Sequence, residues 1–68
     1  MTHDEVFNRY TRLFPNYAYD QVETWFQNGK NSIRIRLIDH RQFVFTIYGK
    51  KDWRFETLDS YIDRTMKG

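Results

Sequence analysis

The stretch NSIRIRLIDHRQFVFTIY, residues 31–48, decides the fold of this 68-residue chain. Apolar and polar residues alternate in two runs, which is the pattern of strands that bury one face. The polar break at residues 39–41 (DHR) separates the runs and predicts the loop of a β-hairpin. A three-residue loop there pairs Leu37 with Phe43 and keeps the apolar residues on one face, whereas a two-residue loop mixes the faces. The sequence therefore predicts the three-residue loop, with His or Arg in the left-handed region.

A second hairpin is predicted on the N-terminal side of this stretch. Residues 22–27 are joined to the run that begins at residue 30 by Asn28-Gly29. This pair favours a two-residue type I′ turn, because both turn positions need positive φ. That register sets Glu23 opposite Arg34, which is a favourable cross-strand charge pair. It also places Trp25 opposite Ser32, on the same face as Arg34 and opposite the apolar residues.

One helix is predicted on each side of the sheet region in the sequence. Thr2 begins the capping-box pattern THDE, and apolar residues then recur at helical spacing until Pro15 disfavours further helix. The first helix is therefore expected from about residue 3 to residue 14. Thr57 is the predicted N-cap of a second helix, which carries an apolar stripe and ends near residues 67–68.

The segment between the two predicted hairpins and the last helix is less regular. After a polar turn at residues 49–52, residues 53–55 (WRF) form either a short fourth strand or the lead into the helix. A tight turn would place Trp53 beside Tyr48, on the polar face of the sheet. The predicted fold class is α+β: an N-terminal helix, a three-stranded antiparallel β-meander with a possible short fourth strand, and a C-terminal helix.

Length and composition indicate a single domain over residues 1–68. A chain this short buries only about 60% of the surface that its unfolded form exposes, so its two Trp, five Tyr and six Phe are the main source of core area. Tyr17 and Tyr19, in the short connection after the first helix, are expected to lie over the edge of the core. The chain has no Cys, no secretory leader pattern and no apolar run long enough to span a bilayer. We expect a cytoplasmic protein that does not contact the membrane.

Positive charge concentrates in the sheet region. Between residues 30 and 54, seven Lys and Arg residues oppose two Asp residues, although the whole chain has a net charge of only +2. Such asymmetry favours an acidic partner. On the predicted polar face the arginines alternate with aromatic rings, and two lysines lie in the adjoining turn. The candidate partner-binding residues are Trp25, Arg34, Arg36, Tyr48, Trp53, Lys50 and Lys51.

Three classes of function fit this basic aromatic face. In the first, the face docks on an acidic protein surface, since exposed aromatic patches mark protein interfaces. In the second, it binds single-stranded nucleic acid without sequence preference, because guanidinium groups neutralise phosphates while rings stack on bases. In the third, the protein is purely structural or self-associating, and a helix or neighbouring side chains cover the rings. The first class is our leading hypothesis.

No residue pattern predicts catalysis or a bound cofactor. His3 and His40 have no carboxylate or second His at ligand spacing. Ser32 and Ser60 lack a nucleophile-elbow pattern, and the three Gly residues form no phosphate-binding loop. We therefore expect a non-enzymatic protein without a cofactor, a metal ion or a small-molecule substrate.

The C-terminal part of the chain resembles a group of short proteins encoded by phages and integrated elements of Gram-positive bacteria. The matching segments are WFQNGKNSIRIRL at residues 25–37, FVFTIYGKKDWRFETLDSYI at residues 43–62, and the trailing MKG. The resemblance implies an accessory gene of a phage or mobile element and a bacterial host cytoplasm. The group has no assigned activity, so the resemblance implies a genetic context rather than a mechanism, and it transfers no catalytic residue. Small phage proteins often bind host or phage proteins, including replication and defence machinery, which favours the protein-binding hypothesis.

Overall fold

The computed structural model describes residues 1–17 and 21–66, and its elements follow the order helix, four strands, helix. This is an α+β fold, and the short fourth strand is present. The side chains of Tyr17 and Tyr19, expected over the core edge, and residues 67–68, expected at the end of the last helix, lie outside the described part. The elements are α1 (His3–Leu13), a 3-10 turn (Pro15–Tyr17), β1 (Val22–Gln27), β2 (Ser32–Leu37), β3 (Gln42–Ile47), β4 (Trp53–Thr57) and α2 (Leu58–Met66).

The four strands form one antiparallel meander in the order β1-β2-β3-β4. All three turns have the same size, because in each one a backbone N–H donates to the carbonyl four residues later and leaves three residues between them. The donor and acceptor pairs are Asn28 and Ser32, Leu37 and Arg41, and Tyr48 and Asp52.

The hairpin of β2 and β3 has the predicted loop length, but the loop begins one residue earlier than predicted. It spans residues 38–40, and Ile35 rather than Leu37 pairs with Phe43. His40 adopts the left-handed conformation, with φ 73°. Because the predicted pairing is wrong by two residues, an even number, every side chain of β2 and β3 still lies on its predicted face.

The predicted register of the first hairpin is wrong. The turn holds three residues rather than two, with Gly29 at φ 99° and Asn31 at φ 55°. Trp25 pairs with Ile35, and Arg34 pairs with Phe26 instead of Glu23. The pairing differs from the predicted one by an odd number of residues, so Trp25 and Phe26 exchange faces. Trp25 therefore joins the apolar face, and Phe26 lies on the polar one.

The prediction that Trp53 lies beside Tyr48 on the polar face is also wrong. Trp53 pairs with Ile47, and Phe55 pairs with Phe45. Both β4 rings consequently point to the apolar face.

Helix α1 packs on this apolar face, here called the α1 face, and makes the main core. Thr2 caps the helix as predicted, because its hydroxyl accepts a hydrogen bond from the N–H of Glu5 at 3.2 Å. Val6 and Tyr10 of α1 are fully buried. The Tyr10 ring lies 5.8 Å from that of Phe45, within the range of a favourable aromatic pair. The buried core residues are Val6, Tyr10, Ile33, Ile35, Leu37, Phe45 and Ile47.

Helix α2 packs on the opposite face, here called the α2 face. Thr57 caps it as predicted, since the N–H of Ser60 donates to the Thr57 hydroxyl at 3.1 Å. Val44 and Glu56 are paired neighbours on β3 and β4 and point to this face. Val44 is only 1% exposed although it is not part of the α1-side core. Glu56 accepts from Arg64 of α2 at 2.9 Å, so the helix lies over β3 and β4.

Candidate partner-binding surface

Helix α2 packs mainly on β3 and β4. The part of the α2 face contributed by β1 and β2 is therefore mostly open, except at Ser32, which is buried with its hydroxyl 2.8 Å from that of Thr46. We call this part the uncovered half. Antiparallel pairing aligns its side chains in two rows, Phe26 beside Arg34 and Thr24 beside Arg36. Phe26 is 41% exposed, and the other three are half-buried.

Arg34 is the central cation of the uncovered half. Its guanidinium carbon lies 5.0 Å from the centroid of the Phe26 ring, which is a cation–π distance. Its Nε–H is buried and has no hydrogen-bond acceptor among the described residues. Within residues 1–17 and 21–66, no carboxylate forms an ion pair with Arg34. The phenyl ring therefore holds a guanidinium whose charge is not neutralised by an acidic side chain.

Arg36 differs from Arg34 because it has an acidic neighbour. Its Nε lies 3.7 Å from Oε2 of Glu23, and both side chains are more than a third exposed. An exposed pair at that distance contributes at most about 1 kcal/mol. Arg36 can therefore exchange Glu23 for another carboxylate at little cost.

The covered half of the same face contains a second charged cluster. Glu56, with only 13% of its side chain exposed, lies 3.6 Å from Arg54 and 2.9 Å from Arg64. The hydrogen bond to Glu56, with a smaller contribution from Tyr48, raises the pKa of Arg64 above its ordinary value. The Glu56 carboxylate thus forms ion pairs with both Arg54 and Arg64. The strands contribute three arginines, at positions 34, 36 and 54, and two glutamates, at 23 and 56, to the α2 face, and helix α2 adds Arg64 together with Asp59 and Asp63 on its outward side.

One flank of α2 forms a wall beside the uncovered half. Arg64 points toward β4, because it bonds Glu56 on that edge strand. Successive helical residues turn by about 100°, so Ile62 lies about 160° away from Arg64 around the helix axis, on the flank toward β2. Met66 follows one turn later. Ile62 is 46% exposed and Met66 81% exposed, so this wall is apolar and open to solvent.

The structure brings together only some of the predicted site residues. Arg34, Arg36 and Tyr48 point to the α2 face, and Tyr48 is 59% exposed at the end of β3. Trp25 and Trp53 lie on the α1 face instead. Trp25 stacks on Phe7 with ring centroids 5.1 Å apart and an interplanar angle of 11°, and the Trp53 ring is 5.3 Å from that of Phe14. Trp25 therefore packs against the core, whereas Trp53 lies at the margin of the α1 face with 42% of its surface exposed, and neither ring belongs to the basic face.

Lys50 and Lys51 are exposed in the turn between β3 and β4. The backbone carbonyl of Lys50 accepts a hydrogen bond from Arg9 of α1 at 3.1 Å. This contact fixes the turn against the helix that packs on the other face. The two lysines add positive charge at that end of the sheet, away from the Arg34 row.

The sequence did not indicate that Phe26, Ile62 and Met66 belong to this surface. Both Trp25 and Phe26 are large and apolar, so alternation in β1 could not choose which ring faces the core. A positive-φ residue is also tolerated at the last position of three-residue hairpin loops, and Asn31 suits it. That signal was present in the sequence but weaker than the one from Asn28-Gly29.

Among residues 1–17 and 21–66, no three His, Asp or Glu side chains are grouped to bind a metal ion. No described helix is long and apolar enough to cross a membrane. No protein-family model matches the chain, and neither a curated protein nor a solved structure matches it significantly. The resemblance to phage and mobile-element proteins stays a prediction.

Proposed function

We propose that this protein is a non-enzymatic binding module whose uncovered half docks an acidic segment of a partner protein. The observation that carries the proposal is Arg34, a half-buried guanidinium that is held over the Phe26 ring and has no acidic partner in the described part of the chain. An unsatisfied buried donor costs about 1–3 kcal/mol. A partner carboxylate that orders this side chain and accepts its hydrogen bonds recovers that cost, and guanidinium suits carboxylate in a bidentate geometry.

The shape of the surface favours a helical segment. Two adjacent strands span about 10 Å, which is close to the diameter of an α-helix with its side chains. The floor of this strip is basic and aromatic, and its wall is the apolar flank formed by Ile62 and Met66. A helix that carries acidic residues toward the floor and apolar residues toward the wall is complementary to both.

The positions of the rings favour protein over nucleic acid as the partner. A platform for single-stranded nucleic acid needs successive exposed rings on which bases stack. With Trp25 and Trp53 on the α1 face, the α2 face keeps Phe26 and Tyr48 as its well-exposed rings. Its other exposed large apolar residues are aliphatic, and aliphatic side chains pack against protein rather than stack on bases.

The resemblance supports a biological setting for this binding. In that setting the protein is an accessory product of a phage or mobile element, acts in the cytoplasm of a Gram-positive host and binds host or phage machinery, with replication and defence proteins as the leading candidates.

Charge-reversal capture tests the proposal. Tagged wild-type protein, Arg34→Glu and the matched control Arg41→Glu are incubated with a lysate of a Gram-positive host, and the captured proteins are identified. Arg41 is exposed in the loop between β2 and β3, where it pairs with Asp39. We expect an acidic protein to be captured by wild type and by Arg41→Glu but not by Arg34→Glu. Equal capture by all three would contradict the assignment of the site.

Titration with a labelled oligonucleotide distinguishes the rival partner. If the surface binds nucleic acid, the affinity for single-stranded DNA or RNA should fall linearly with salt on logarithmic axes and drop further in Arg34→Glu. We expect no such binding at physiological salt. A steep salt dependence that requires Arg34 would replace the proposed function with nucleic-acid binding.

A further inference from the structure

The chain itself carries a helix of the kind that the uncovered half is suited to dock. The outward side of α2 bears Asp59 and Asp63, which are one helical turn apart, and Ile62 and Met66 flank them. This combination of acidic and apolar residues is complementary to the basic floor and apolar wall described above. The acidic helix and the basic surface suited to bind it therefore occur on the same molecule.

The spacing of the charges also matches. Four residues along a helix advance about 6 Å, which is the distance between the levels of Asp59 and Asp63 on α2. Two residues along a strand advance about 6.7 Å, which is the distance between Arg36 and Arg34 on β2. The two acidic groups of one molecule can thus meet the two guanidiniums of another in one arrangement.

We propose that two copies of this chain associate through their α2 faces in a symmetric dimer. Each α2 would lie on the uncovered half of the other copy, so that two helices form one layer between two sheets. Asp63 would face Arg34 of the second copy, and Asp59 would face its Arg36. Such an interface is self-complementary, as two-fold symmetry requires.

This inference rests on the proposed function in one respect, namely that the uncovered half accepts an acidic amphipathic helix. It adds a regulatory consequence. In the dimer the second copy occupies the docking surface, so an external partner must compete with self-association. Partner binding would then be accompanied by dissociation of the dimer.

Sedimentation velocity on the purified chain tests the dimer without any external partner. We expect the average mass to rise from 8.5 kDa toward twice that value as concentration increases from about 10 μM to about 1 mM. Arg34→Glu and Asp63→Arg each place like charges in the interface and should weaken association by at least about tenfold. The matched controls Arg41→Glu and Asp52→Arg change exposed turn residues and should associate like wild type.

Mixing the two charge-reversed variants gives the decisive result. In a mixture of Arg34→Glu with Asp63→Arg, the acidic floor of one variant meets the basic helix of the other, so association should return to within about threefold of wild type. Circular dichroism establishes that each variant is folded, and recovery in the mixture excludes a folding defect as the cause of the loss. A monomer at every concentration, or a dimer that neither reversal weakens, would overturn the proposal. Failure of the dimer would leave capture of an external acidic protein intact, so the two claims are tested separately.

Discussion

The two faces of the sheet are built differently. Helix α1 has 11 residues and buries Val6 and Tyr10 completely in a core whose buried strand residues come from β2 and β3, with partly buried side chains of β1 and β4 packed against it. Helix α2 has nine residues, buries none of them completely, and packs on two strands of four. In a domain this small, one well-packed face can supply most of the stability. The other face can then leave a basic strip exposed, and we infer that function lies there.

Loss of a core ring on the α1 face should lower the free energy of unfolding more than any other change considered. Tyr10→Ala should destabilise the protein by about 3–5 kcal/mol, the range for removing a buried aromatic ring, which is comparable to the whole stability expected of a small domain. Urea unfolding followed by circular dichroism measures it. Leu13→Ala is the control on the same helix, because Leu13 is 41% exposed, and it should cost less than about 1 kcal/mol. Similar costs for the two variants would contradict the assignment of the core.

A pair of substitutions separates stability from binding. Trp25→Ala should destabilise the fold by about 2 kcal/mol, since a half-buried ring that stacks on Phe7 is lost, and should leave partner capture unchanged at a temperature where the variant is folded. Arg34→Ala should change stability by less than about 1 kcal/mol and abolish capture. Unfolding curves and capture assays on both variants test this. The reverse pattern would return the binding site to the Trp25 face.

Hydrogen exchange should show that the two helices differ in local stability. The backbone amides of α2 should exchange faster than those in the middle of α1, because few buried apolar contacts hold α2 down. Val44→Ala removes contacts beneath α2 and should cost about 1–2 kcal/mol, with the largest loss of protection in α2. Equal protection of the two helices in the wild-type protein would be inconsistent with this difference between the faces.

The smallest effect is expected from the loop between β2 and β3. The pKa of Asp39 is lowered from 3.8, first by the backbone N–H of Arg41 and then by its guanidinium. A lowered pKa means that the charged form is favoured in the folded state. The stability that ionised Asp39 contributes is therefore fully present above the ordinary pKa and is lost as the pH falls through the lowered value. Asp39→Asn should reduce the melting temperature slightly at pH 7 and not at pH 2, and an equal reduction at both would exclude this cause.

The sequence was sufficient to predict the elements for which a residue pattern is compatible with only one structure. The caps at Thr2 and Thr57, the two helices and the α+β class follow from local chemistry, and all are present. The faces of β2 and β3 were also predictable, because alternation in this stretch leaves only one apolar face.

The sequence was insufficient where two registers had similar local support. In the first hairpin the register depends on the turn length, and the actual turn is one residue longer than the two-residue turn that Asn28-Gly29 favours. The longer turn places Trp25 on the α1 face, away from the candidate surface. The position of α2 depends on packing and an ion pair between Glu56 and Arg64, which local patterns do not reveal. The arginines of the site were thus predictable from the sequence, but Phe26 and the apolar wall were not.

Helix α2 covers the β3 and β4 half of its face and leaves most of the β1 and β2 half open. The chain has no Cys, so Thr24→Cys and Val44→Cys each introduce a single thiol on this face, the first in the uncovered half and the second beneath α2. Labelling with a thiol reagent at low micromolar concentration, where self-association is negligible, measures their accessibility. We expect the thiol from Thr24→Cys to react at least about a hundredfold faster than the one from Val44→Cys. Equal rates would contradict it.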